Sequence, residues 1–414
     1  MVSIRPVSRL LVPADSAAAQ SVIGPNYDEF QSDQEVWQLL QTQPDSVLKL
    51  TMAHCDVAAA SEIGVEGSPQ ALERAVHNLR ELVDSPLTRT VSQVLWVYEI
   101  VDRRRPESPQ TGLGGDALTC EIRTETTPQG TVIRNEGIRE PKARGRADLM
   151  QQTQSCVGIV NLAVEDDDGQ LQQALDSVIQ SRECDYEAWD EVENRHRIWL
   201  MTDAGDIDRF QSLMAQKPHA FVADGNHRSA AAALLGREDY LAVFFPTNRM
   251  WLAPYNRLVR SIGNTIDDLA VALGDNFDVQ PATGSEPFQP QETHVIGVYH
   301  QSRWWKLVPR ETAFDANNAA QSIDADIVQR LVFDRVLGIS DPRDQCLTFV
   351  GGNRDAAYLQ SRVDNGEYEL AVTLPPVTMR QFVEVCRQNR FMPPKSTWFE
   401  PKIRSGLVIG LWGT

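Results

Sequence analysis

The chain has 414 residues, of which 42% are hydrophobic and 23% charged, a composition that is ordinary for a globular protein and allows two or three domains. Its formal net charge of −18 argues against non-specific binding to nucleic acid or to an anionic membrane. No apolar run approaches the roughly 20 residues that span a bilayer, and the first residues lack the long apolar region of a secretory signal. The six cysteines form no C-x-x-C pair, so they suggest neither a zinc site nor a disulfide framework. We therefore expect a cytoplasmic protein with reduced thiols.

Residues 1–112 are predicted to form an α/β domain. The alternating pattern of Ser46–Ala53 is typical of a strand, and Ser68-Pro69 is a start signal for an amphipathic helix. Val91–Val101 is rich in β-branched and aromatic residues and should be a further strand. The segment Arg103–Gly115 is charged and then rich in proline and glycine, which favours a linker or an exposed loop.

A second domain is predicted for residues 113–262, and its first notable feature is the charged segment 135–146. Glu136 is followed there by several lysines and arginines, just before a predicted helix. A carboxylate beside cations keeps its charge and could act as a general base. The alternative is a solvated helix entrance.

The segment Ala223-Asp-Gly-Asn-His-Arg228 follows a short apolar run and precedes a run of helix formers that stops at Gly236. These neighbours predict a turn from a strand into a helix. Gly225 would let the backbone turn, the helix would present free N–H groups, and His227 and Arg228 add donors that match phosphate oxygens. This pattern indicates an anion site suited to a nucleotide phosphate. The alternative is a tight turn in which Asp224 caps the helix and Arg228 is solvated.

Residues 263–414 are predicted to form an α+β domain that ends in the segment Met392–Lys402. Two consecutive prolines make this segment stiff and non-helical. Lys395, Ser396 and Thr397 then present a cation and two hydroxyls, which suit a phosphate or a small polar substrate. The alternative is an extended loop packed by Trp398 and Phe399. No glycine-rich P-loop surrounds Lys395.

These motifs resemble those of a known family. Residues 223–228 and 392–402 are similar to the I-A-D-G-H-H-R and M-P-P-K-S-T-x-F-x-P-K signatures of the bacterial domain-of-unknown-function family ten-fifteen, and Asn135-Glu136 and Pro254–Arg257 extend the resemblance over most of the chain. That family in turn resembles the free serine kinases of the ParB/sulfiredoxin-like superfamily. Their Glu, D-G-H-H-R and S-P-K-T-T motifs have counterparts here in the same order.

The resemblance implies a mixed α/β (α+β) fold with an N-terminal α/β domain, a central ParB/sulfiredoxin-like core and a C-terminal α+β domain. It also implies a small-molecule kinase, a phosphotransferase with an alcohol acceptor. Such an enzyme would move a phosphoryl group from ATP or ADP, with Mg²⁺, to the hydroxyl of free serine or a related hydroxy acid. The expected partners are the nucleotide and this acceptor, with neither nucleic acid nor a membrane.

The resemblance also assigns roles to particular residues. Glu136 would be the catalytic base toward the acceptor hydroxyl, assisted by Asp224 and His227. The residues expected to hold the nucleotide phosphates are Asp224, Gly225, Asn226, His227 and Arg228. The residues expected to hold the acceptor are Lys395, Ser396, Thr397, Trp398 and Arg257.

Three positions depart from the family pattern, because Asn135, Asn226 and Asn256 stand where the family has histidine. Asparagine can donate a hydrogen bond, but it cannot take a charge or shuttle a proton. These replacements leave two interpretations open: an active kinase with a changed acceptor, or a non-catalytic nucleotide-binding regulatory protein. The retained Glu136 favours the kinase, because a carboxylate near phosphates would only repel them in a pure binder.

Overall fold

The computed structural model describes residues 1–262, 269–283, 286–400 and 402–412. The strands, in chain order, are β1 (Val7–Pro13), β2 (Thr88–Val101), β3 (Gln110–Leu118), β4 (Val132–Arg134), β5 (Ser155–Cys156), β6 (Val160–Val164), β7 (Tyr186–Trp189), β8 (Arg195–Met201), β9 (Ala220–Asp224), β10 (Asp239–Pro246), β11 (Trp251–Ala253), β12 (Asn256–Val259), β13 (Phe277–Pro281), β14 (Ile296–His300), β15 (Arg303–Pro309), β16 (Leu347–Val350), β17 (Leu370–Thr373), β18 (Trp398–Glu400) and β19 (Ile409–Leu411). The mixed α/β class predicted from the sequence is confirmed.

The helices alternate with these strands along much of the chain. In order they are α1 (Ser16–Val22), α2 (Asp33–Thr42), α3 (Leu48–Thr51), α4 (Pro69–Asp84), α5 (Glu140–Thr153), α6 (Gln170–Ser181), α7 (Ala204–Met214), α8 (Asn226–Leu234), α9 (Leu269–Leu273), α10 (Asp324–Val328), α11 (Ala356–Asp364) and α12 (Met379–Arg387). The strand predicted over Ser46–Ala53 is wrong, because α3 occupies its centre. Within the described ranges, no helix combines the length and the apolar character needed to cross a membrane.

The chain divides into two compact units, where the sequence predicts three domains. Unit 1 comprises Met1–Arg134, Ile138–Met250 and Pro401–Thr414, and unit 2 comprises Asn135–Gly137 and Trp251–Glu400. The predicted boundary between residues 112 and 113 falls inside β3, which is hydrogen-bonded to β2 on one side and β10 on the other. The predicted boundary between 262 and 263 falls where the described residues stop at 262.

Unit 1 is built on a mixed sheet with the strand order β4-β9-β6-β10-β3-β2-β1-β19-β5. Its parallel pairs are β10 with β6 and β4 with β9. The long strand β2 pairs with β1 through its first half and with β8 through its second half. The short last strand, β19, lies between β1 and β5, so the end of the described chain returns to the sheet of unit 1.

The glycine-rich part of the predicted linker is a buried strand. Gly112, Gly114 and Gly115 all lie within β3, and a Cβ atom added at Gly114 would come within 1.9 Å of Trp96 Cε2. The fully buried Trp96 on β2 therefore packs directly against the backbone of β3. These glycines serve close packing of a side chain on the strand, and the linker prediction is wrong for Gln110–Gly115.

Unit 2 contains an antiparallel sheet in the order β13-β15-β14-β17-β12-β16 and a separate ribbon of β11 and β18. The hairpin of β14 and β15 appears where the sequence predicts it. One apolar cluster joins this sheet to α11 through Leu258, Tyr299, Ala371 and Leu359. This packing fixes β12, which carries two residues of the candidate site.

A buried arginine fixes the returning segment in unit 1. The side chain of Arg404 is 3% exposed and donates hydrogen bonds to Glu29 (2.6 and 2.8 Å), Asp190 (3.1 Å) and Glu191 (2.7 Å). Burial alone would lower the pKa of Arg404, but the three carboxylates raise it above its ordinary value. Removing one member of such a buried group costs about 3–5 kcal/mol, because the remaining charges stay uncompensated.

The same cluster continues into a buried chain of hydrogen-bonding groups. The backbone N–H of Arg404 donates to Tyr98 Oη (3.1 Å), and the Tyr98 hydroxyl lies 2.8 Å from His196 Nδ1. His196 Nε2 then lies 3.3 Å from Asp190 Oδ2. Burial lowers the pKa of His196 despite the neighbouring carboxylate. Burial by itself would raise the pKa of Asp190, but the hydrogen bond from His196 and the charge of Arg404 hold it below its usual range.

These two shifts predict that His196 and Asp190 contribute less to the stability of the chain as the pH falls. Both pKa values are lowered by folding, so the unfolded chain binds more protons than the folded chain below the ordinary pKa of each group. The His196 contribution should begin to disappear as the pH falls through 6.5, and the Asp190 contribution below 3.8. Urea unfolding from about pH 8 to about pH 5 should show a smaller pH slope in His196→Gln than in the parent chain. The exposed His77→Gln should keep the parent slope, and an unchanged slope in His196→Gln would contradict the assignment.

Candidate functional site

The predicted turn from strand into helix is confirmed in unit 1. Strand β9 ends at Asp224, Gly225 has a φ of +102°, and α8 begins at Asn226. A positive φ of this size favours glycine, because a side chain would be strained there. Since the N-cap residue is this glycine, no N-cap side chain competes for the first N–H groups of the nine-residue helix. The helix start therefore has the backbone geometry of an anion site.

Two positively charged side chains form ion pairs with the Asp224 carboxylate. Arg228 Nη2 is 3.1 Å from one carboxylate oxygen, and Lys402 Nζ is 3.2 Å from the other. Both cationic side chains are nearly buried, with 11% and 9% exposure, so the alternative of a solvated Arg228 is wrong. Sequence reasoning gave Lys402 no role, although it is the last residue of the closing motif and could have been considered on that ground.

The Arg228 side chain lies close to the backbone at Gly158, Ile159 and Gly225. Its Nη1 donates to the carbonyl of Ile159. A Cβ atom at Gly158 would lie 2.7 Å from Arg228 Cδ, and one at Gly225 would lie 3.1 Å from Arg228 Nε. The two glycines therefore make room for the guanidinium. These contacts therefore fix the orientation of the Arg228 guanidinium without the help of a ligand.

His227 has a defined tautomer. The backbone N–H of Arg139 donates to His227 Nε2 at 3.0 Å. An amide N–H only donates, so Nε2 accepts this bond, and the ring is neutral with its proton on Nδ1. His227 can therefore offer at most its Nδ1–H to a ligand, and it adds no positive charge in this arrangement.

Asn161 is a site residue that sequence reasoning missed. It lies on β6 opposite Asp224 in the strand register, and it is 4% exposed. Its Oδ1 is buried and has no hydrogen-bond partner among the described residues. A buried amide oxygen without a partner costs free energy, and it suits a donor or a cation brought by a ligand. Nothing local marks Asn161 in the sequence, because it sits within an apolar strand.

Unit 2 brings the Glu136 segment and the closing loop together. Residue 136 forms an isolated bridge with Met392, and the Met392 N–H donates to the carbonyl of Asn135 (2.9 Å). The Lys395 N–H lies 3.4 Å from Glu136 Oε2, and Asn135 Nδ2 lies 3.4 Å from Thr397 Oγ1. Two motifs that lie 259 residues apart in sequence thus meet in one place.

The closing loop has an unusual backbone at Lys395. Its φ is +60°, a value that non-glycine residues adopt rarely and that often marks functional loops. Its Nζ lies 5.5 Å from the centre of the Tyr255 ring. Ser396 is 6% exposed, and its hydroxyl donates to the Pro393 carbonyl (2.6 Å). The side chains of Lys395 and Thr397 are therefore partly exposed on the loop, whereas Ser396 is buried and hydrogen-bonded within it.

Arg257 lies in the interior of unit 2, whereas the resemblance of the motifs predicts that it contacts the acceptor. It is 2% exposed, and its guanidinium donates to the carbonyls of Tyr255 and Lys395 (3.1 Å to Lys395). It also lies 4.9 Å from the centre of the Phe349 ring. Burial lowers its pKa to about 10, which still leaves it charged at neutral pH. This placement favours a positioning role for Arg257 beneath the loop.

Trp398 and Asn256 also serve the packing of unit 2. Trp398 is 3% exposed and covers Gly351, where an added Cβ would lie 2.2 Å from Trp398 Cζ3. Asn256 is fully buried, donates to Gln289 Oε1 (2.9 Å) and accepts the N–H of Leu374 (3.0 Å). Both hydrogen-bonding groups of this asparagine are therefore used by the fold.

Comparison with known proteins identifies a family. The family model described as "Protein of unknown function (DUF1015)" matches residues 4–331. The matched range includes Glu136 and residues 223–228 and ends before the closing motif. A search of curated proteins finds no match.

Three solved structures show a distant likeness to the chain. The chain is similar to a conserved hypothetical protein from Pyrococcus furiosus (TM-score 0.36, 9% identity, covering 67% of this chain and 92% of that one). It is also similar to a free serine kinase in complex with AMP (0.37, 9%, 67% and 89%) and to SbnI with C-terminal truncation from Staphylococcus aureus (0.40, 9%, 71% and 85%). These values are too low to support an argument about the chemistry of this chain.

The close approach of Arg228 to Gly158 predicts what happens when one methyl group is added at residue 158. In Gly158→Ala the new Cβ would meet Arg228 Cδ at 2.7 Å and displace the guanidinium. If this site binds a nucleotide phosphate, as its sequence pattern predicts, calorimetric titration should show ADP binding at least about tenfold weaker than in the parent chain. Gly145→Ala, where an added Cβ meets nothing within 4 Å, is the matched control and should bind like the parent. Parent-like binding in Gly158→Ala would show that Arg228 does not contact the nucleotide.

Proposed function

The chain belongs to the DUF1015 family, and we propose that it is a small-molecule kinase that transfers a phosphoryl group from ATP or ADP to the hydroxyl of free serine or a related hydroxy acid. The observation that carries the proposal is the arrangement of Arg228 and Lys402 on Asp224 at the start of α8. Two aligned cations at the positive end of a helix dipole form a donor set that suits phosphate oxygens.

In this proposal Asp224 aligns the two cations rather than binding the phosphates itself. A phosphate that reaches the helix start would share Arg228 and Lys402 with the carboxylate. Because the cations are already held in place, little side-chain freedom is lost when the anion binds. Gly225 allows the phosphate to come close to the backbone, and the first N–H groups of α8, from Asn226 onward, add hydrogen bonds.

The residues present fit a nucleotide that carries a magnesium ion. Mg²⁺ prefers oxygen ligands, and Asn161 offers a buried Oδ1 that has no partner in the described structure. A bound Mg²⁺ would supply neutralisation of the charge on the transferring group.

Glu136 is proposed as the base that accepts the proton of the acceptor hydroxyl. The hydroxyl oxygen forms a bond to the terminal phosphorus, the bond from that phosphorus to the bridging oxygen breaks, and the hydroxyl proton goes to Glu136. Lys395 and Thr397 would hold the acceptor, and Arg257 would hold the loop.

A second function, a non-catalytic nucleotide-binding regulator, is favoured by one group of observations. Asn256 is committed to the fold, and His227 Nε2 accepts a backbone N–H, so these positions offer little proton-transfer chemistry. A regulator would bind nucleotide without making product. The two functions differ in whether Glu136 matters for turnover.

Binding and catalysis are assigned to different residues in the proposed kinase and can be tested separately. The purified chain, incubated with Mg²⁺, ATP or ADP and a panel of hydroxy amino acids and hydroxy acids, should add the mass of one phosphoryl group to one acceptor. Glu136→Gln should lower this rate by about 10² to 10⁴ and leave ADP affinity within about twofold, because only the base is lost. Arg228→Ala should instead weaken ADP binding by about 10- to 100-fold.

Glu140→Gln is the matched control, because Glu140 is exposed and pairs with Arg144 on the surface of α5. It should keep the parent rate and the parent affinity. Nucleotide binding without product on any acceptor would contradict the kinase and support the regulator. Equal loss of affinity in Glu136→Gln and Arg228→Ala would contradict the division of roles.

A further inference from the structure

We propose that Asp33, His54 and Cys55 of unit 1 form a binding site for a zinc-type divalent transition-metal ion. One candidate ligand atom from each of the three residues lies within 4.8 Å of the other two. The proposed kinase chemistry involves none of these three residues. The proposal therefore stands or falls independently of the kinase.

The backbone that carries two of the ligands is held firmly. His54 and Cys55 lie in a short 3-10 helix, Ala53–Cys55, at the end of the segment that contains α3. Arg74 Nη1 donates to the Ala53 carbonyl (2.9 Å), and the Gly64 N–H donates to the His54 carbonyl (3.0 Å). Because these bonds fix the turn from outside, the imidazole and the thiol are oriented in the metal-free chain.

The third ligand comes from the start of α2. Asp33 is the first residue of that helix after the N-cap Ser32. Its Oδ1 lies 3.3 Å from His54 Nε2. Two ligand atoms bound to zinc at about 2.0–2.1 Å in tetrahedral geometry are also about 3.3 Å apart. An ion can therefore enter between the carboxylate and the imidazole with little change in their separation.

The cluster is buried on one side and accessible on the other. His54 is 3% exposed, and fully buried Cys55 packs in an apolar cluster with Val36, Leu48 and Met52. Such surroundings exclude water from the thiolate–metal bond. His54 also lines an open cavity of about 300 Å³, which gives an ion a path to the site.

The donor set determines the class of metal. A thiolate and an imidazole are soft or borderline ligands that suit zinc and its neighbours, whereas magnesium and calcium prefer sites made only of oxygen. Three protein ligands would leave a fourth tetrahedral position for water or an external ligand. The site would thus be distinct in its metal from the magnesium expected with a nucleotide.

Cobalt(II) provides the test, because it replaces zinc and reports its ligands by absorption. The full-length chain, freed of metal with a chelator, should bind one equivalent of Co²⁺ with a thiolate-to-metal charge-transfer band and the strong visible bands of tetrahedral coordination. One equivalent of Zn²⁺ should abolish both. The absence of a charge-transfer band at saturating Co²⁺ would overturn the proposal.

Variants assign the band to the three residues. Cys55→Ser should lose the charge-transfer band, whereas Cys386→Ser, which alters another buried thiol, should keep it. Asp33→Asn should weaken Co²⁺ binding at least about tenfold. Because the Asp33 side chain is 52% exposed, this variant should fold even if Cys55→Ser does not. Parent affinity in Asp33→Asn, or a band that persists in Cys55→Ser, would show that the ion binds elsewhere.

Discussion

The buried guanidinium of Arg404 is the interaction on which the described end of unit 1 depends. A charge with 3% exposure is tolerated only because Glu29, Asp190 and Glu191 surround it with hydrogen-bonding carboxylates. These partners come from the first 30 residues and from the turn after β7, so the arginine joins three distant parts of the chain. Its backbone N–H adds Tyr98, and through Tyr98 the buried His196. The segment that contains Arg404 is therefore fixed in position by charge as well as by the pairing of β19.

This constraint has a direct consequence for the candidate site. Lys402 lies two residues before Arg404, and its ammonium group contacts Asp224 across a sequence separation of 178 residues. The turn after β9 would otherwise offer one arginine; with the returning segment it offers two cations on one carboxylate. The glycines at 158 and 225 leave room for Arg228 to lie along the backbone. In the proposed function, the fold of unit 1 thus prepares the charge that a phosphate needs.

The sequence predicts local features of this structure well and long-range ones poorly. The turn at Gly225 is predictable because a short apolar run, a glycine and a run of helix formers are all neighbours in the chain. The contact of Lys402 with Asp224 and the burial of Arg257 are not, because they depend on pairings between distant segments. The prediction that the glycines of β3 belong to a linker is wrong, because composition cannot show that Trp96 packs on them. The closeness of Asp33 to His54 and Cys55 is likewise invisible in cysteine spacing. The resemblance of the motifs did indicate that Glu136 and the closing loop belong together, and unit 2 joins them.

We propose above all that Lys402 and Arg228 together form a phosphate site, and the affinity of ADP for Lys402→Gln, measured by calorimetry at low and high salt, tests this most directly. Binding should be about tenfold weaker than in the parent chain at low salt, and the loss of affinity when salt is added should be smaller, because one phosphate contact has been removed. Affinity and salt dependence equal to those of the parent chain would contradict it.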